Sequence, residues 1–167
     1  MSDEARKTKV TASDFDLTPN PRILAMLGEI NLMQWRCIAE LIDNSVDAFL
    51  KAQRAGNAIQ GPEVSVSVPM TDSESAKITV RDNGPGMDDT TLQNAVRAGW
   101  TGNAPFDSLG FYGMGLKIAM ARLGTVTKVW STRKGDLEWI GIEIDFAKLQ
   151  QQGHFKTPKI TRFKTES

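Results

Sequence analysis

One long amphipathic stretch, Leu32 to about Arg54, constrains this chain more than any other segment. Ile38, Ile42, Val46 and Phe49 recur at three- and four-residue steps, so they share one stripe of a helix that Gly56 stops. A second stripe carries Glu40, Asn44 and Asp47, spaced four and three apart, with Lys51 extending it. A solvated face is the plain account of such a stripe. Two details resist it. Asn44 and Ser45 are mediocre helix formers placed mid-helix, where an exposed surface favours Glu, Lys or Ala. A carboxylate and a carboxamide one turn apart are also what hydrolysis of a metal-bound phosphate anhydride needs: a base for the water proton and an oxygen ligand for the metal. Mg²⁺ keeps several of its waters, so a single Asn ligand is enough.

The remaining pattern alternates helix and strand irregularly. A short or kinked helix is expected from Asn20, with Pro21 in its first turn and Ile23, Leu24, Leu27 and Ile30 in step. Strands are expected over Glu63 to Val68, Lys77 to Val80, Gly124 to Ser131, around Trp139 to Ile144, and at Ile160 to Phe163. Further helices are expected over Asp88 to Ala98 and Tyr112 to Leu123, with hairpins at Pro69 to Ala76 and Arg133 to Asp136. The expected fold class is α+β: a two-layer sandwich whose mixed, mostly antiparallel sheet carries helices on one face. Trp35, Trp130 and Trp139 fall in helix or strand patterns and are expected in the core or at its edge.

Two glycine segments follow the long helix. Asp82-Asn83-Gly84-Pro85-Gly86-Met87 is a plain turn sequence, and its glycines need no further account as such. An ionised Asp just past a strand end can nevertheless accept from the exocyclic amine of adenine, while Gly84 and Gly86 let the backbone close on the base. Gly110-Phe111-Tyr112-Gly113-Met114-Gly115-Leu116-Lys117 opens a helix. It reads either as a loop with a tight helix start or as a phosphate cradle of free backbone amides, to which Lys117 adds charge. It has neither the P-loop order nor the βαβ setting of a dinucleotide fingerprint.

Composition narrows the setting. A length of 167 residues suits one domain. Twenty basic and twenty acidic residues balance, so total charge recruits neither nucleic acid nor an anionic membrane surface. Cys37 is the sole cysteine, which excludes an internal disulfide, and no signal-like segment opens the chain. Apolar runs stop well short of the ~18 residues a membrane helix needs. A cytoplasmic protein without membrane contact is expected. Residues 1–14 are polar without periodicity and read as a flexible arm, leaving 15–167 as the domain. His154, the only histidine, is expected as an ordinary surface residue.

Taken in order, Ala39 to Ala48, Asp82 to Met87 and Gly110 to Lys117 resemble the N-box and the two glycine boxes of the GHKL ATPases. The wording Gly-Phe-Tyr-Gly-Met-Gly-Leu-Lys is most similar to MORC proteins and their bacterial relatives. The resemblance implies the Bergerat fold and an ATP/ADP site with Mg²⁺ between helices and sheet. It implies Glu40 as general base, Asn44 as the Mg²⁺ ligand, and Asp47 as a further N-box carboxylate. Asp82 would recognise adenine, with Gly84, Gly86 and Met87 beside the base. Gly110, Tyr112, Gly113, Met114, Gly115, Leu116 and Lys117 would surround the phosphates, and Trp100 to Leu109 would form a lid. Thr157 is the nearest match to a late adenine-site threonine. Glu40 favours a hydrolase over a sensor histidine kinase; a nucleotide-sensing module with little hydrolysis is the alternative. The gyrase, MutL and MORC branches of the family imply a longer protein in which a transducer domain follows Ser167 and contributes a lysine to the γ-phosphate. They also imply nucleotide-dependent homodimers, with any nucleic-acid contact made through further domains.

Overall fold

The structure, a computed structural model, describes residues 29–71, 73, 76–97, 115–152 and 156–164. The expected N-terminal arm, first helix, lid and His154 lie outside these residues. Helix α1 (Gln34–Arg54) comes first, followed by strands β1 (Val64–Ser67) and β2 (Thr79–Asp82) and helices α2 (Asp89–Val96) and α3 (Gly115–Leu123). Strands β3 (Val126–Ser131) and β4 (Glu138–Asp145), helix α4 (Phe146–Gln152) and strand β5 (Lys159–Phe163) complete the order. Among the described residues no helix is long and apolar enough to cross a membrane.

The buried positions of α1 are Cys37, Ser45 and Ala52, eight and seven residues apart. Its deepest line therefore runs between the apolar and polar stripes, and both flank it half-sunk: Ile38, Ile42, Val46 and Phe49 on one side, Glu40 and Asp47 on the other. Trp35 departs from its expected core position. It is 61% exposed, with Nε1 donating to the Met33 sulfur at 3.3 Å and the Arg36 guanidinium 5.2 Å from its ring. Two residues along a helix turn the side chain through ~200°, so Trp35 leaves α1 opposite Cys37.

β3, β4 and β5 form an antiparallel sheet in that order. Its cross-strand rows Val129–Ile142–Lys159 and Ser131–Ile140–Thr161, with Thr127–Ile144, share one face. On that face Met120 of α3, Ile142, Ile144 and Leu149 of α4 make the core, with Val96 of α2 and Leu116 packed against it. Three helices thus reach the same side of this sheet, each large aliphatic side chain contributing about 1.5–3 kcal/mol on burial. The opposite face carries Trp130, Trp139 and Arg162, whose guanidinium lies 4.5 and 5.3 Å from the two ring centroids. Gly141 lies under the Trp130 ring, where a Cβ would come within 2.5 Å of Cε3. Both indoles are half-buried, on the face of the sheet away from the core and not within it.

The expected single mixed sheet is replaced by two antiparallel ones among the described residues, since β1 and β2 pair only with each other. The cause lies just after β2. The Asn83 side chain accepts from the Glu63 amide and donates to the Gly61 carbonyl, both at 2.9 Å, which clasps the ribbon's end. The chain then turns out of plane at Gly86, with φ +71°. It rejoins the second sheet through one hydrogen bond from the Met87 amide to the Ser131 hydroxyl at 2.7 Å, rather than through a ladder. Strand β2 also runs two residues beyond its expected end, so Asp82 sits inside the ladder opposite Val64. Helix α4 was not expected. Asp145, whose Oδ1 accepts from the Lys148 amide at 3.0 Å, is the start signal that marks it.

Candidate functional site

The site forms where α1 crosses β2. Ser45, buried on α1, places its hydroxyl 3.2 Å from Asp82 Oδ2 and 3.3 Å from the Leu41 carbonyl. One hydroxyl proton serves one acceptor at a time, so Ser45 alternates between them. The Gly84 amide donates to Asp82 Oδ1 at 2.8 Å. The carboxylate is thus held at both oxygens by a helix and a turn, yet each oxygen keeps a lone pair for another donor. Gly84 lacks a side chain because a Cβ there would lie 2.7 Å from Asp82 Oδ1 and 3.4 Å from Phe49.

Gly86 has its own reason. At φ +71° an L side chain is strained, and a Cβ would strike the Thr132 carbonyl. Its glycine identity therefore follows from the close approach to the end of β3. Beside it, half-buried Met87 is anchored by buried Ser131, and Asp88 pairs with Arg133 at 3.4 Å while capping α2 through the Thr91 amide at 2.8 Å.

One turn toward the N-terminus of α1, the Asn44 Nδ2 donates to the Glu40 carbonyl at 2.7 Å. That bond turns the carboxamide oxygen away from the helix backbone, on the exposed side. Asn44 Oδ1 is thereby presented as an oxygen ligand. Among the described residues no group of three or more His, Cys, Asp and Glu could hold a metal. A cation at Asn44 would complete its shell with water and phosphate oxygens, which suits Mg²⁺ and not a metal needing a cage of protein ligands. Glu40 is half-buried with its carboxylate against Gly115, the first residue of α3. Burial, and secondarily the Asp43 charge, push its pKa above the ordinary glutamate value. Asp47 is half-buried three residues beyond Asn44, on the same side of the helix.

The structure sets Glu40 against Gly115 with Asn44 bonded to the Glu40 carbonyl, and separately joins Asp82 and Gly84 to α1 through Ser45, with Gly86 and Met87 following in the turn. Leu116 packs instead against the core. Lys117 is 3% exposed, and burial lowers its pKa. Thr157 donates to the Glu143 carbonyl at 2.7 Å and borders a cavity of about 360 Å³ with Asp145, Lys148 and Lys156. It lies four residues before Thr161, the residue in the Ser131 row, which is about 13 Å along an extended chain. Gly110, Tyr112, Gly113 and Met114 lie outside the described residues.

Ser45 and Ser131, which are not among the expected site residues, hold Asp82 and Met87 through their hydroxyls. Ser45→Ala removes one donor to Asp82 and leaves the fold's backbone bonds intact. It should weaken nucleotide binding about three- to tenfold, the equivalent of one hydrogen bond of ~0.5–1.5 kcal/mol. Titration calorimetry of the variant against the parent measures it.

Residues 31–167 match the family described as histidine kinase-, DNA gyrase B-, and HSP90-like ATPase. Protein MICRORCHIDIA 5 of Arabidopsis thaliana is similar at 30% identity over 99 residues, which is 59% of this chain and 13% of that protein. The chain thus spans a small part of that relative's length, and the similarity is that of a distant MORC homologue. The family match covers α1 through β5 and so includes every described residue of the site. This chain belongs to the histidine kinase-, DNA gyrase B- and HSP90-like ATPase family.

Proposed function

We propose that this chain binds ATP with Mg²⁺ and hydrolyses it, in a Bergerat-type sandwich whose nucleotide site lies along α1. The observation that carries the reading is the convergence on one helix of three chemically distinct groups. These are a carboxylate base, a free carboxamide oxygen, and a serine that orients an acceptor on the neighbouring strand. Asp82 accepts from the adenine amine while Ser45 and Gly84 fix its position. Asn44 Oδ1 would hold Mg²⁺, which would supply neutralisation of phosphate charge. Glu40, one turn away, takes the proton from the attacking water, and its raised pKa brings its basicity closer to neutral pH.

Closure of the Trp100 to Leu109 lid that the family resemblance implies would drive homodimerisation or a conformational change, any nucleic acid being met through other domains. The setting is the cytoplasm. A base-discrimination experiment tests the site. An ionised Asp82 attracts the 6-amino group of adenine and repels the 6-carbonyl of guanine, both sides being acceptors. Calorimetry should find ATP bound at least about tenfold tighter than GTP. Equal affinity for the two would overturn the placement of the base.

A further inference from the structure

Gly115 begins α3, is buried, and is not among the glycines with positive φ, which are Gly56, Gly61, Gly86 and Gly135. Its backbone conformation is open to any residue. Alanine forms helix better than glycine, so helical geometry gives no reason for a glycine here. Space does. A Cβ built on Gly115 would fall on Glu40 Oε2, with Glu40 Cδ at 2.9 Å and Cγ at 3.5 Å, and all three nearest atoms belong to that one side chain.

We infer that Gly115 is a positioning residue for hydrolysis: its missing side chain is the seat that holds the Glu40 carboxylate against the start of α3. This rests on the reading of Glu40 as the base. It gives Gly115 a different task from the close approach of phosphate that a glycine box suggests. The end of Glu40 occupies the volume a methyl group would need. That volume is shared with a flexible side-chain tip and not with backbone, so alanine displaces the carboxylate without disturbing the fold. The displaced group swings toward water, out of the geometry in which it faces the attacking water, and misplacement of a catalytic group by about 1 Å is costly.

The test is Gly115→Ala in the full-length protein, with ATP affinity read by calorimetry and turnover by phosphate release. The expected result is a Kd within about twofold of the parent, an unchanged unfolding midpoint, and kcat lower by about tenfold or more. Adding Gly115→Ala to Glu40→Gln should slow the enzyme no further, because there is no base left to misplace. A weakened Kd with unchanged kcat would assign Gly115 to the phosphate and overturn the seat; so would a double variant slower than Glu40→Gln alone. Failure of the base reading is separately visible. If Glu40→Gln hydrolyses ATP at the parent rate, Glu40 is not the base and Gly115 has no positioning role in hydrolysis.

Discussion

Glu40→Gln is expected to leave ATP binding within about twofold of the parent while turnover falls by about 10²–10⁴-fold, the usual contribution of a positioned general base. Glutamine has the same shape and keeps the contact with Gly115, but it cannot take up a proton. The Asn44 bond goes to the Glu40 backbone carbonyl and survives the change. Phosphate release and calorimetry on the full-length protein separate the two effects, and parent-like turnover by the variant would sink the role. The pH dependence follows from the raised pKa of Glu40, caused first by burial and second by Asp43. A base works ionised, so the acid limb of kcat should lie above the ordinary glutamate range and be absent from the residual rate of the variant. For stability the sign reverses. A carboxyl whose pKa is raised by folding favours the protonated native state, so its contribution is present at low pH and lost as pH rises through the folded pKa. Glutamine stays neutral. The variant should unfold no more easily than the parent at neutral pH, which makes its loss of turnover a loss of chemistry.

Much of this geometry was readable wherever it depends on local period. α1 was legible because 21 residues repeat an amphipathic pattern, and the two hairpins because their strands alternate around polar turns. The spacing of Glu40 and Asn44 put both on one helix face without reference to any other element. What could not be read was contact across the chain. Ser45 was conspicuous as a polar residue mid-helix, yet its partner Asp82 lies 37 residues away and only the crossing of α1 over β2 joins them. Gly86 and Gly115 looked like ligand-facing glycines, and the volumes they leave are taken by the Thr132 carbonyl and the Glu40 carboxylate. Periodicity shows which faces are apolar without showing how deep each side chain sinks, and for that reason Trp35 was misplaced. The seven residues of α4 were too short for a period to emerge. Division into two sheets depends on the clasp at Asn83 and the turn at Gly86, which are tertiary contacts written in ordinary turn residues.

Asp82→Asn should abolish useful nucleotide binding while leaving the fold intact, and the two hydrogen bonds at the carboxylate explain why both hold. The amide oxygen of asparagine can still accept from the Gly84 amide. Its nitrogen then replaces Oδ2, and Ser45 adapts by donating to the Leu41 carbonyl and accepting from the new amide. No buried group is stranded, so the urea midpoint should change little. The adenine amine fares differently. It loses an ionised acceptor, whose hydrogen bond contributes about 1.5–3 kcal/mol, and risks facing an N–H donor with nothing to accept it, at a cost of about 1–3 kcal/mol. A combined loss of roughly 3 kcal/mol corresponds to a Kd about 100-fold weaker. ADP should weaken by the same factor, because the adenine is common to both, whereas Glu40→Gln leaves both affinities untouched. GTP provides the sharper control: an asparagine nitrogen can donate to the guanine carbonyl that an aspartate repels, so the variant should narrow or reverse the preference for ATP. Retention of ATP binding within threefold, together with an unchanged preference over GTP, would mean that the base is read elsewhere and that the Ser45–Asp82–Gly84 array serves only to join α1 to β2.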